Sequence, residues 1–167
     1  MGKRLIIKGA DFSQNGIYSQ VSLWYITGYD DNKSNLSSTA NTANGGWAFG
    51  DTDQNKVRGK VINQIKFKVS AAGDFPIMKG SARNSMTEAA SITIEQAEIG
   101  TVVTKTFTPV TVGESEYIAV GKPNGAGMYF TSSSSATPSG FYTKVPSSPT
   151  STTGNLGVNV GFIDNGE

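Results

Sequence analysis

Oxygen-bearing side chains recur at alternate positions in Asp51-Thr52-Asp53-Gln54-Asn55. Hard cations are held by carboxylate and carbonyl oxygens, and a calcium loop opens with this spacing. The remainder of an EF-hand loop does not follow: Lys56 stands where glycine is required, and Ile62 where a bidentate glutamate is required. β-Sandwich proteins also assemble calcium sites from separate loops, so Asp51, Asp53 and Asn55 are candidate calcium ligands. The competing reading is a solvated turn ahead of a strand. No other cofactor is expected.

Two carboxylate pairs, Asp30-Asp31 and Glu114 with Glu116, invite comparison with glycoside hydrolysis. That chemistry needs two carboxyls roughly 5–9.5 Å apart across a cleft. Adjacent strand residues point to opposite faces, so Asp30 and Asp31 diverge. Glu114 and Glu116 can share a face, but they precede a strand at a turn, where carboxylates are usually solvated. The serine run 132–135 has no activating histidine, because the chain contains none, and no G-x-S-x-G elbow exists. Gly45-Gly46 and Gly125-Ala126-Gly127 do not form a phosphate-binding fingerprint. Cysteine is absent too, which removes disulfides and thiolate metal sites. These observations predict a protein that is not an enzyme.

The aromatic residues Trp47, Phe49, Phe141 and Tyr142 fall in predicted loops. Sugars stack on exposed aromatic faces, and Asn41, Asn44 and Asp51 could serve their hydroxyls. The alternative is that these rings pin long loops onto the body of the protein. Lys56, Arg58, Lys60, Lys66 and Lys68 make a basic stretch. Exposed and edge strands often carry lysine against aggregation, and that reading is preferred to anion binding.

These residues need a scaffold. A chain of 167 residues suits one domain that buries roughly 70% of its unfolded surface. Its net charge of +1 gives no electrostatic case for nucleic acid or an anionic membrane. No run approaches the roughly 18 apolar residues of a membrane span. The apolar run Leu5-Ile6-Ile7 is three residues long, against about 7–15 for a signal peptide. The protein is therefore expected to be kept in the cytoplasm or released by lysis.

Residues 57–79 hold the longest regular pattern. Val61, Asn63, Ile65, Phe67 and Val69 alternate with Ile62, Gln64, Lys66 and Lys68, the period of a half-buried strand. Ala72-Gly73-Asp74 then reads as the turn of a hairpin whose second strand starts at Phe75. Further strands are predicted at 21–27, 91–95, 101–107, 117–121, 128–131, 140–145 and 156–163. A turn at Gly100 returns the chain between two of them. Residues 28–53 read as a long loop, 80–90 as a connection with a short helix over 85–90, and 132–153 as a surface excursion around one strand. About eight strands of moderate length between Gly-, Asn- and Ser-rich turns predict an antiparallel two-sheet β-sandwich. The distribution of long loops favours a jelly roll. Residues 21–167 form its single domain. Residues 1–20 form an arm or edge strand, with Leu5, Ile6, Ile7, Phe12 and Ile17 as apolar anchors for a partner.

The series KVINQIKFKVSAAGDFPI, SITI, VTKTFTPV and GESEYIAVG, with the opening RLIIKGADFSQNGI, resembles β-sandwich domains of phage and prophage structural proteins of gut bacteria. The resemblance covers about two thirds of the chain. It implies a jelly-roll virion or fibre component, often trimeric, anchored by its N-terminal arm to other virion proteins and presenting loops to a host-surface glycan. It carries over no catalytic residue. The alternative function is a carbohydrate-binding module, and a third is a glycan-active enzyme.

Overall fold

Branched and aromatic residues dominate 61–69 and 102–112, and both runs are extended strands, as their propensity favours. The structure is a computed structural model that describes residues 25–27, 29, 38–39, 46–51, 56–122, 129–131, 139–145 and 153–164. Among these there are twelve strands: β1 (Tyr25–Thr27), β2 (Ser38–Thr39), β3 (Gly46–Asp51), β4 (Val61–Lys68), β5 (Gly73–Ala82), β6 (Ser85–Ile94), β7 (Val102–Thr111), β8 (Tyr117–Lys122), β9 (Tyr129–Thr131), β10 (Ser139–Val145), β11 (Thr153–Val158) and β12 (Val160–Asp164). A 3₁₀ turn, Gln96–Glu98, also lies among the described residues.

The strands form two antiparallel sheets, one of four strands in the order β1-β12-β4-β7 and one of eight in the order β2-β9-β11-β10-β3-β8-β5-β6. Taking β1, β3, β4, β5, β6, β7, β8 and β12 as first to eighth, the two orders are first-eighth-third-sixth and second-seventh-fourth-fifth. That is the strand order of a jelly roll. The remaining strands are additions: β9, β10 and β11 enter between β8 and β12, and with β2 they widen the second sheet.

The inner faces of the sheets enclose one core. Phe67, Ile65 and Phe162 from the first sheet meet Phe75, Ile77 and Ile118 from the second, all essentially without exposure. The Phe67 and Phe75 rings bridge the sheets at 5.8 Å between centroids, tilted by 59°. Burying such side chains contributes about 1.5–3 kcal/mol each. A second apolar cluster, Ala48, Met78, Met86 and Ala119, is separate from this core. Each of Ala48, Met78 and Ala119 is next in sequence to an inward residue, so strand alternation puts them on the outer face of the larger sheet.

Several expectations are corrected. Residues 57–79 are not a hairpin: β4 pairs with β12 and β7, whereas β5 pairs with β6 and β8. The turn at residues 70–72 carries the chain from one sheet to the other. The turn at Gly100 likewise links β6 of the larger sheet to β7 of the smaller. The hairpin lies between β5 and β6, closed at Arg83-Asn84 where a connection and a short helix were expected. β6 is an edge strand with Thr87, Glu88 and Ala89 exposed, so it lacks the apolar alternation that announces a strand. Against β12 the ladder shifts register between Ile62 and Gln64, leaving Asn63 as an extra residue, whereas against β7 Asn63 faces residues 107–109 and the surplus lies in β7. Ile62 is therefore fully buried and Val61 is 40% exposed, the reverse of straight alternation. The predicted strand over 156–163 divides into β11 and β12, which enter different sheets on either side of buried Asn159.

Candidate functional site

Trp47 and Phe49, expected in a long loop, lie in β3, and Phe141 and Tyr142 lie in β10, which matches the strand predicted over 140–145 within the surface excursion. These strands are hydrogen-bonded neighbours in which Tyr142 pairs with Phe49, Lys144 with Trp47 and Phe141 with Gly50. The topology thus brings together residues nearly a hundred positions apart. Phe49 is 4% exposed and belongs to the core, which leaves its ring no face for a sugar. Its loop assignment failed because the polar tract around it hides a strand of small residues, Gly46, Ala48 and Gly50.

Of the candidate calcium ligands, Asp51 ends β3 opposite Gly140. Asp53 and Asn55 lie outside the described residues, as do Asp30, Asp31 and the arm residues Leu5, Ile6, Ile7, Phe12 and Ile17. Among the described residues no three acidic side chains converge on a metal-sized site, and no helix is long and apolar enough to cross a membrane.

The second carboxylate pair has a structural use. Glu116 accepts a hydrogen bond from the Gly113 backbone N–H at 2.7 Å and an ion-paired one from Lys79 Nζ at 3.3 Å. The Gly113 bond, then Lys79, holds its carboxyl below the usual range, with burial opposing. Lys79 also donates to the Thr111 carbonyl at 2.9 Å, tying β5 to the end of β7. Lys105 and Glu98 pair at 2.7 Å, and that bond, then the Glu95 backbone N–H, lowers the Glu98 carboxyl. Lys60 pairs with largely buried Asp164 at 3.1 Å, joining the approach to β4 to the end of β12.

A different constellation stands on the outer face of the smaller sheet. Lys66 and Lys68 alternate with the core residues Ile65 and Phe67. Lys66 Nζ lies 4.6 Å from the centroid of the Tyr29 ring, and Lys68 Nζ 4.5 Å from that of Tyr129. Such contacts are worth about 0.5–1 kcal/mol at exposed sites, and they hold the ammonium groups in place. In the neighbouring strands, Gly161 and Thr104 stand opposite Lys66. Gln64 Nε2 donates to Thr106 Oγ1 at 3.2 Å on the same face. β4 is an interior strand between β12 and β7, so of the two settings expected for these lysines, an edge or an exposed strand, the edge does not apply. Two amines, the Tyr129 ring, an amide and hydroxyls can donate to and stack on a polyhydroxylated or acidic chain, whereas the Tyr29 hydroxyl is itself buried. Alternation pointed to Lys66 and Lys68. Nothing in the sequence pointed to Tyr29 and Tyr129, which only the fold brings to them.

No family model, curated protein or solved structure matches this chain.

Proposed function

We propose that this chain is a non-enzymatic structural and attachment protein of a phage-like particle, homo-oligomeric with a trimer favoured, in contact with other virion proteins. The observation that carries the reading is the jelly-roll strand order, an architecture used by viral capsid and lectin domains. The inserted strands β9–β11 widen one sheet and so enlarge the surface available for assembly. Fold alone admits many functions, so the reading stands or falls on assembly. Multi-angle light scattering of the purified chain is expected to return a trimer mass. A monomer at every concentration tested removes the assembly reading.

A second reading, carbohydrate binding, is favoured by the amine–phenol face of Lys66, Lys68, Tyr29 and Tyr129. In an attachment protein the two readings are compatible, with a host-surface glycan as ligand. Binding on a glycan array is expected for the wild type and reduced in the Lys66→Ala/Lys68→Ala variant. Equal binding by that variant removes the face, and equal binding by Trp47→Ala removes the stacking role given to that residue.

A further inference from the structure

The larger sheet ends in a long strand with little of the protection an edge usually carries. β6 runs for ten residues, and among the described residues β5 is its hydrogen-bonded neighbour. Thr87, Glu88 and Ala89 are exposed in succession, so the strand is open to solvent on both faces there. The ladder with β5 shifts between Ile77 and Met78, which leaves Ala89 as an extra residue and residues 90–94 as the regular run. In that run Ser91 and Thr93 are exposed on the outer face. Ile92 and Ile94 are buried on the inner face, and Ala90 packs partly buried against the same core. The hydroxyls of Ser91 and Thr93 both turn toward β5. Ser91 donates to the Phe75 carbonyl at 3.4 Å and Thr93 to Asp74 Oδ1 at 2.8 Å, so neither side chain screens the free edge.

β7, the edge of the smaller sheet, is guarded. Pro109 has no N–H to offer, and residues 107–109 bulge out of the ladder with β4. Lys105 stands opposite the core residue Ile65 and pairs with Glu98 at 2.7 Å. A proline, a bulge and an inward charge are the devices that keep an edge from pairing. Residues 90–94 contain no proline and no charge, and the bulge at Ala89 lies outside them.

We propose that β6 is an assembly edge. Residues 90–94 of a second copy of this chain pair with it antiparallel about a two-fold axis at Ile92, joining two larger sheets into one. The run itself selects this occupant. A pairing strand has to set exposed residues against exposed ones and buried against buried. The register centred on Ile92 does so for the whole run: Ser91 faces the partner's Thr93, Ala90 faces the partner's Ile94, and Ile92 faces its own counterpart. Hydroxyl pairs and aliphatic pairs are favourable cross-strand combinations. Glu88 and Glu95 flank the run, and in this register neither stands opposite another carboxylate. An unrelated peptide would meet the same backbone groups, but residues 90–94 offer it no charge to select it.

This contact does not rest on the virion reading. A two-fold, isologous contact takes a monomer to a dimer and a trimer to a hexamer. Its signature is a doubling of mass, which is separate from three-fold assembly.

Because the native chain has no cysteine, disulfide trapping in the full chain tests the register. Ser91→Cys and Thr93→Cys chains are mixed in equal amounts and mildly oxidised. Directly opposed positions have Cβ atoms about 4.5–5.5 Å apart, close to disulfide reach, whereas diagonal positions are about 7–8 Å apart. The mixed 91–93 bridge is therefore expected to exceed each like-with-like bridge at least about fivefold, read by mass spectrometry of the linked peptides. Bridges in the proportions of random collision, or no bridge, overturn the proposal. Sedimentation gives an independent readout. Ser91→Lys/Thr93→Lys sets ammonium groups against one another at exposed positions, and an unchanged thermal midpoint shows that the variant is folded. The native chain is expected to double in mass as concentration rises, and this variant is not. Equal doubling of both, or no doubling of the native chain, overturns the proposal.

Discussion

The register shift in β4 can be tested by two neighbouring substitutions whose costs it reverses. Straight alternation puts Val61 inside and Ile62 outside. The shift at Asn63 instead leaves Ile62 without exposure, in the core with Ile65 and Phe67, and Val61 40% exposed. Ile62→Ala removes three carbons from a closed site that can only partly collapse, at a cost of about 2–5 kcal/mol. For a chain of this length, about 3 kcal/mol lowers Tm by roughly 6–12 °C. Val61→Ala loses little burial and some strand propensity, a cost of at most about 1 kcal/mol. Urea denaturation followed by tryptophan fluorescence measures both, and an unchanged m-value shows that the same surface is being exposed. If Val61→Ala costs as much as Ile62→Ala, β4 is straight and its ladders with β12 and β7 carry no register shift at Asn63.

Acid sensitivity follows from Glu116. Its lowered carboxyl stabilises the fold above the unfolded carboxylate range, and that contribution is lost as pH falls through the lowered folded value. Glu116→Gln is expected to cost on the order of 1 kcal/mol at neutral pH, with the gap to wild type closing in acid; a gap that persists there refutes the linkage. Gly80→Ala and Gly100→Ala separate two uses of glycine. A Cβ at Gly80 would stand 2.0 Å from the Ser85 carbonyl oxygen, so at least about 2 kcal/mol is expected. Gly100 has φ +83° and nothing within 4 Å, so only backbone strain of about 1 kcal/mol is expected; equal urea midpoints refute the distinction. Lys68→Gln is expected to change stability by less than about 1 kcal/mol while weakening retention on an acidic-glycan column; unaltered retention excludes Lys68 from the binding face. If Asp51, Asp53 and Asn55 hold calcium, added calcium raises Tm and a chelator reverses it; an unmoved Tm removes that ligand set.

The fold class was legible because alternation survives in most of the long strands. Ile65, Phe67, Ile92, Ile94, Ile118 and Val120 all sit in the core their periods imply. Strand partners were not legible. The turn after Val69 and the turn at Gly100 have the composition of hairpin turns, yet both cross between sheets, because a jelly roll pairs many of its strands with partners far away in sequence. The long hairpin of β5 and β6 was missed for the opposite reason. β6 carries Thr87, Glu88 and Ala89 on an exposed edge, where no apolar period is needed. β3 was hidden in the same way, since its outward positions hold only Ala48 and Gly50.

The strands β11 and β12 show most sharply what alternation encodes. Leu156, Val158, Val160 and Phe162 keep an unbroken period of two across Asn159. The chain nevertheless leaves the larger sheet before Asn159 and joins the smaller one after it. A period of two specifies which side of a strand is wet, and it carries no record of the sheet that supplies the hydrogen bonds. The same limit applies to the surfaces proposed to carry function. Lys66 and Lys68 are visible in the sequence as one face of one strand, whereas the rings of Tyr29 and Tyr129 join them from opposite ends of the chain. Ala48, Met78 and Ala119 likewise come from three strands whose inward neighbours dominate the pattern. Small outward residues look like solvent positions in sequence. Only the folded chain shows that they are buried together, with Tyr117 packed against them.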